Sequence, residues 1–547
     1  MVNRKYRNLF IWPALGVTII VLFLTACGTL EIDIEQGGDI SGNETAPTTV
    51  VLATEPADLA TSEVIATPIP VDTATPIPAV TELHVAFVQD TEHGNNAWLW
   101  TEGDEQAVPL TKDGGVSGVR ISDDGEIVAF RRGGGLWMVT SNGVDNEHPS
   151  EERVLVSAED FTAMQVRESF DFEVVLYTFE WVPGTHILAF NTHLRMEIGL
   201  LLNNDLHLVN ADTLEYIALL PPGEGGEFHP SPDGRQIAIV TPGAISLVRI
   251  DGSDRREVFT YTPVVTYSEV QYYAQPVWAA DSGSLRVAIP PADPMVQPLP
   301  PTSVWHIRTD GMSASLVGNV DTDMGASTLS PDLRYVAYLD GGQMAHTANP
   351  ISSLAITDLD NRETVTYYPI DSGETTTERP AATSFYGWSP DSQHFAFRAY
   401  LGSEIPTQAL VGQLGGDTVP IYDDAEIIMD LRWMDATRYL FLAKNPRGWT
   451  VMLGEIGGPV KSVTGIVDSS PDYDFTSPPY DSTASTSGNA PVPTPSVNDS
   501  GDGPIPFGLV YQNADGLWLA EVDTWTLHSS GLPVDAQLVG WASSPGN

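Results

Sequence analysis

The chain has 547 residues with 25 Lys and Arg against 72 Asp and Glu, a formal net charge of −47, and a single cysteine. So negative a field repels phosphate backbones and anionic headgroups, which disfavours nucleic-acid or membrane-surface binding by the folded body, and one thiol makes neither an internal disulfide nor a Cys-based zinc site. At 42 % hydrophobic residues there is ample material for a core, while 48 Gly and 42 Pro punctuate the chain with turns and argue against long helices, so an all-β fold is expected.

Residues 1–8 carry Arg4, Lys5 and Arg7 with no acid, residues 9–24 are almost continuously apolar, and Leu24-Thr25-Ala26-Cys27 comes next. This is the three-part pattern of a secretory signal. The residues before Cys27 resemble a bacterial lipobox, which implies cleavage after residue 26 and diacylation of the Cys27 sulfur. An uncleaved transmembrane anchor with an incidental cysteine is the alternative. Either way, the chain beyond residue 27 lies outside the cytoplasm, with the membrane as a partner through the anchor. Cleavage removes three basic and no acidic residues, taking the net charge from −47 to −50.

Residues 27–80 read as a linker. From 41 to 80 they are rich in Thr, Pro, Ala and Val and repeat ATPIP at Ala66–Pro70 and Ala74–Pro78. Such a composition favours extended, partly polyproline-II chain without a core.

From residue 81 one pattern recurs: a short strand, a turn built on Ser-Pro-Asp, then a strand ending in Ala-Phe or similar. SPDGRQIAIV (Ser231–Val240), SPDLRYVAYL (Ser330–Leu339) and WSPDSQHFAFRA (Trp388–Ala399) are the clearest copies; those around Asp124, Gly184, Asp281 and Asp435 are weaker. Asp233, Asp281, Asp332, Asp391 and Asp435 are spaced by 48, 51, 59 and 44 residues, a propeller-blade period. Pro presets φ in the turn and Asp bonds back to nearby backbone, so each copy is a two-strand reversal. A third strand such as ISLVRI (Ile245–Ile250) and a fourth after a polar turn complete a four-stranded blade.

The SPDG-x-x-x-A-F pattern resembles the WD40-like repeat of TolB-type β-propellers, over essentially residues 81–547. The segment around Trp541 is similar to a first strand whose continuation is missing, and His84–Val88 to a second strand whose beginning is missing. Paired, they would close the ring from both chain ends. About eight blades are expected, seven and nine also fitting the turn anchors. The doubtful unit comes after residue 460, where little chain separates Lys461 from Asp472 and low-complexity sequence intervenes at 476–506.

If the Ser-Pro-Asp turns share one face, the second-to-third-strand loops and blade-to-blade connections share the other, and the long loops collect there. These are Asn191–Asn204, Pro290–Thr302, Asp340–Ile351 and Ala399–Thr407, with connections Ser157–Val175, Tyr261–Pro276 and Pro369–Ser384. Long loops in a compact repeat carry function. Tyr261, Tyr267, Tyr272 and Tyr273 fall in one of them and form the candidate binding surface, since tyrosine offers contact area with a polar tip; packing between blades is the competing role.

No G-x-S-x-G, no H-E-x-x-H and no hydrolase domain accompany the repeat. His186, His193 and His207 are assigned to separate strand positions rather than to a shared metal site. Asp321-Thr322-Asp323 and Ser500–Gly503 lack the full register of a calcium loop. No cofactor, metal or catalytic residue is assigned. The expected function is an extracytoplasmic, lipid-anchored, non-catalytic platform that binds an envelope protein or polysaccharide, the role the resemblance implies. The alternative is a carbohydrate-active enzyme, a glycosidase or lyase, with acidic residues converging in the central funnel.

Overall fold

The computed structural model describes residues 84–542 apart from 102–103, 142–150, 165–172, 197–198, 269, 312, 322–326, 341–352, 369–380, 401–407, 423–424, 464–465, 467, 469–472, 476–507, 514–515, 522–526 and 534–535. Cys27, the linker and the 476–506 insertion lie outside these residues. Among the described residues the chain forms nine antiparallel sheets, eight of four strands and one with an added fifth. Blade 1 comprises 84–109 with 537–542; blades 2 to 9 lie at 117–156, 173–220, 227–260, 277–320, 327–367, 381–420, 427–462 and 473–529. Nine is the upper end of the expected range. The unit after residue 460 is a blade after all, because its neighbour's outer strand is only Lys461–Ser462 and its own inner strand only Tyr473–Phe475. Position 472 precedes that inner strand, and the insertion takes the place of its first turn.

The first and last strands of the repeat region pair as expected. Strand Gln537–Ala542 pairs antiparallel with His84–Thr91, Val85 opposite Trp541 and Val88 opposite Gln537. Blade 1 thus takes its inner strand from the C-terminus and its other three from the N-terminal end of the repeat region, which leaves that inner strand paired rather than open.

Packing shows the ring more directly than pairing does. The second and third strands of each blade alternate side chains between the two faces of the sheet, and each face packs on the next blade. Nine apolar clusters result, each shared by two blades adjacent in order. Phe130 and Leu99 join blades 1 and 2, Phe190 and Leu136 blades 2 and 3, and Phe441 and Ala396 blades 7 and 8. The last cluster returns from Leu517 and Leu519 of blade 9 to Val85 and Phe87 of blade 1. The ring is closed by apolar contact as well as by a strand.

The repeat turn has one geometry at the four described Ser-x-Asp turns, Ser122, Ser231, Ser330 and Ser389. The Ser hydroxyl donates to the Asp carboxylate two residues on, at 2.6 Å for Ser122–Asp124 and Ser231–Asp233 and 2.5 Å for Ser330–Asp332. The same hydroxyl accepts the backbone N–H five residues later, as from Gln236 at 3.0 Å, while the Asp accepts the N–H two residues on, as from Arg235 at 3.1 Å. The reversal is thereby held by local side-chain-to-backbone bonds. Neighbouring turns are tied as well: Asp233 N–H donates to Ser282 Oγ at 3.1 Å and Asp332 N–H to Ser392 Oγ at 3.0 Å. The tryptophan ahead of the turn adds a second latch. Indole N–H groups of Trp181, Trp278, Trp388 and Trp433 donate to Arg120, His229, Thr328 and Gly387 carbonyls on the preceding blade's inner strand, at 3.0–3.3 Å. Each such bond contributes roughly 1 kcal/mol.

Two of the expected loops are partly regular structure. Asn191–Asn204 continues the second strand of blade 3 to Met196 and returns as Gly199–Leu202, an extended hairpin. In Ser157–Val175, Ser157 caps a short helix, α1 (Ala158–Ala163), through a capping box with Asp160 that satisfies the helix's first N–H groups. No helix among the described residues is long and apolar enough to cross a membrane.

Candidate functional site

On the loop face, two long loops lie side by side at blades 4 and 5. Connection 261–276 leaves the outer strand of blade 4, and the loop 290–301 joins the second and third strands of blade 5. The two are bonded to each other: Val265 N–H donates to Ala292 O at 2.8 Å, and the Tyr267 hydroxyl to Asp293 Oδ1 at 2.8 Å. Asp293 also accepts the Met295 N–H at 2.9 Å, which caps its own turn.

The four tyrosines divide into two roles. Tyr261, Tyr272 and Tyr273 are half-buried against the core shared by blades 4 and 5. Their hydroxyls reach Thr241 O at 2.8 Å, Ala288 O at 3.4 Å and Asn204 Oδ1 at 3.2 Å, so each ties the connection to a second strand of blade 4 or 5 or to a loop of blade 3. Burial holds their phenols above the usual range, Tyr272 at about 12. They are framework. Tyr267 is 65 % exposed and sits at φ 53, a conformation uncommon for a bulky side chain. The hydrogen bond to Asp293 holds it there and raises its phenol.

Around Tyr267 lies an open-mouthed cradle of about 530 Å³, lined by Pro242, Pro263, Val265, Tyr267, Val270 and Tyr272 with Thr266, Ser268 and Gln271 as polar members. Val270 is 73 % exposed beside it, and Met295 on the adjoining loop 67 %. Val265 and Val296 are exposed as well. Among the described residues lining the cradle none is charged, although Asp293 is bonded to Tyr267 at its edge. Grouped exposed apolar side chains on two mutually braced loops mark an interaction surface more than scattered ones do. Of the residues expected on this surface, Tyr267 and Tyr272 line it directly; Val270 and Met295, whose signal in sequence is only their place in a Pro-rich loop, add to it.

The opposite face holds a polar cluster between blades 2 and 3. His186 Nε2 lies 2.8 Å from Asp124 Oδ2 and Nδ1 3.0 Å from Asp212 Oδ1. Carboxylates only accept, so both ring nitrogens donate and the ring is an imidazolium. Burial opposes that charge, but the hydrogen bond and field of Asp124, helped by Asp212, outweigh it and bring the His186 pKa to about 9. Asp124 stays below the usual carboxylate range: burial pushes it up, and its bonds to His186, Ser122 and the Glu126 backbone overcome this. A donor atom from each of Asp124, Glu126 and His186 falls within 4.8 Å of the others. A metal ion there would have to displace the proton that already joins two of them. The cluster sits where the repeat turn of blade 3 has Gly184 instead of Asp, and Gly184 N–H donates to Asp123 Oδ2 at 2.8 Å. His186 and Asp123 together replace the missing turn tie.

The other histidines of this region occupy separate places. His207 Nε2 donates to the buried Asp205 at 2.9 Å, and its Nδ1 lies 2.7 Å from the Tyr216 hydroxyl. Asp205 also accepts from the Thr192 N–H and hydroxyl and from Asn203. His193 stacks on Tyr177 with centroids 3.6 Å apart. On the inner strands, Glu180 is the carboxyl pushed upward, by burial against a smaller opposing effect of Arg120. Asp124, Asp205, Asp358 and Asp435 are all held low by their hydrogen bonds against burial.

Solved structures similar to this chain are β-propellers. TolB from Acinetobacter baumannii is 14 % identical over 71 % of this chain and 86 % of that one, with a TM-score of 0.26. The β-propeller domain of the Trilobed protease from Pyrococcus furiosus is 13 % identical over 64 % and 96 %, TM-score 0.32. An oligogalacturonate lyase from Vibrio parahaemolyticus is 14 % identical over 58 % and 82 %, TM-score 0.34. No family model matches the chain, and no curated protein matches it. At these values no residue's role passes from those proteins to this one, and the propeller assignment rests on the nine sheets and nine inter-blade cores.

Proposed function

We propose that this chain is an extracytoplasmic β-propeller, anchored to the cell membrane through lipidated Cys27, that serves as a non-catalytic platform binding an envelope protein or polysaccharide. The observation that carries the reading is the uncharged cradle around Tyr267, built on braced loops on the face away from the repeat turns. The propeller supplies the rigid frame and the loops the contact, the usual division of labour in repeat folds. The acidic body stays off anionic headgroups, and the linker of residues 27–80 spans the gap. Affinity capture from detergent-solubilised envelope and cell-wall extract tests it, with the full chain beside a Tyr267→Ala/Val270→Asp variant. A component retained by the parent and lost by the variant is expected; equal retention by both would overturn the assignment of the face.

The second reading, a carbohydrate-active enzyme, is favoured by Glu180, whose raised carboxyl affinity suits a general acid. Polysaccharide cleavage abolished by Glu180→Gln, with the fold intact, would replace the platform reading.

A further inference from the structure

The cradle and the linker match in chemistry. The cradle is lined by two prolines, two tyrosine rings and valines, opens to solvent and has no charged side chain among the described residues of its lining. Residues 65–80 hold two ATPIP pentads with Asp72 as their one charge, in a chain with 72 acidic residues. Aromatic and proline-walled grooves take polyproline-II segments, because the ligand is already extended and loses little entropy on docking.

Topology says which linker can reach it. His84 begins the second strand of blade 1, so the chain enters the propeller on the side of the repeat turns. The cradle lies on the opposite face and, in a ring of nine, on blades 4 and 5, three and four places round from blade 1. A linker emerging at His84 starts on the wrong face and the wrong side for its own cradle. One arriving from a neighbouring chain has neither handicap.

We propose that the cradle binds the Ala66–Pro78 linker of a second copy of this chain, so that copies tethered to one membrane associate head to tail. The inference rests on reading this face as the binding surface, and it names the partner. The contact is heterologous, each chain offering one linker and one cradle. Tethering to a common membrane raises the effective concentration of each for the other.

Complementation between two full-length variants tests the proposal. One carries Ser at Pro68, Pro70, Pro76 and Pro78; the other carries Val270→Asp, an exposed change that leaves the core untouched, with Tyr267→Ala as its independent check. Sedimentation velocity is run on the full chain with detergent micelles in large excess over protein. The parent is expected to associate with rising concentration, each variant alone to stay monomeric, and the mixture to form a heterodimer. A synthetic Ile65–Val80 peptide is expected to bind the linker variant and to weaken by about tenfold or more when Val270→Asp is added. Failure of the peptide to bind overturns the proposal, as does association that persists in the linker variant alone. Peptide binding without heterodimer formation overturns it too, because the linker would then be captured within one chain. If the peptide fails while an envelope component is still captured through Tyr267 and Val270, only this inference falls; if both fail, the platform reading falls with it.

Discussion

Replacing His186 with Gln removes an imidazolium shared between blades 2 and 3, and its cost can be worked out from linkage. In the folded chain the imidazole titrates at about 9, against 6.5 as its ordinary value. The folded-state value is raised, so the stabilisation is fully present below pH 6.5 and is lost as pH rises towards 9. A difference of roughly 2.5 pH units corresponds to about 3 kcal/mol. The gap between parent and His186→Gln, read from urea unfolding midpoints, is therefore expected to be about 3 kcal/mol at pH 6, about 1.4 kcal/mol at pH 8 and near zero at pH 10. Asp124 is paired throughout this window, since its own affinity is held low. A gap independent of pH, or one that widens above pH 8, would refute the imidazolium and the inter-blade role assigned to it.

Other substitutions probe the ring and its faces. Phe441 is fully buried between blades 7 and 8, and Phe441→Ala should cost about 3–5 kcal/mol in chemical denaturation. Asp205→Ala removes the acceptor of four hydrogen bonds, from Thr192 N–H and hydroxyl, Asn203 and His207, and leaves the buried Thr192 and His207 donors unsatisfied; a loss of about 3–5 kcal/mol is expected in the same assay. Gly234 sits at φ +66 with the place of a Cβ 2.2 Å from Pro183 O on the neighbouring turn, so Gly234→Ala should lower the melting temperature measurably, while Gly184→Ala, at φ +66 with nothing near its Cβ, should cost only about 1 kcal/mol of backbone strain. Tyr267→Ala, on an exposed ring, should leave the melting temperature within a degree or two of the parent while removing binding.

The repeat was legible because its turn chemistry is local. Ser231, Asp233 and Gly234 satisfy one reversal within five residues, and the equivalent serine and aspartate do so at Ser330 and Ser389. Blade count was harder, since a two-residue strand such as Lys461–Ser462 carries no periodicity, and an insertion had replaced the one turn that would have marked blade 9. The hairpin at Met196–Gly199 was hidden in a stretch that reads as a long loop, although Leu200–Leu202 continues a strand-like apolar run. The His186–Asp124 tie spans 62 residues and has no local pattern. Its one trace in sequence is that the repeat turn lacking Asp, at Gly184, has a histidine two residues on. Among the tyrosines, sequence could place all four in one connection but not tell Tyr267 from its buried neighbours. That distinction depends on which hydroxyls find acceptors on neighbouring strands and loops and which ring is left facing out.

On the proposed reading, the loop face around blades 4 and 5 is where this protein meets its partner. Hydrogen–deuterium exchange on the chain in its native envelope, compared with the same chain purified in detergent at high dilution, tests this directly. Protection confined to residues 263–272 and 290–301, with the turns at 122–126 and 231–235 unchanged, is the predicted result. Protection of those turns in place of the loops, or no difference between the two preparations, would contradict it.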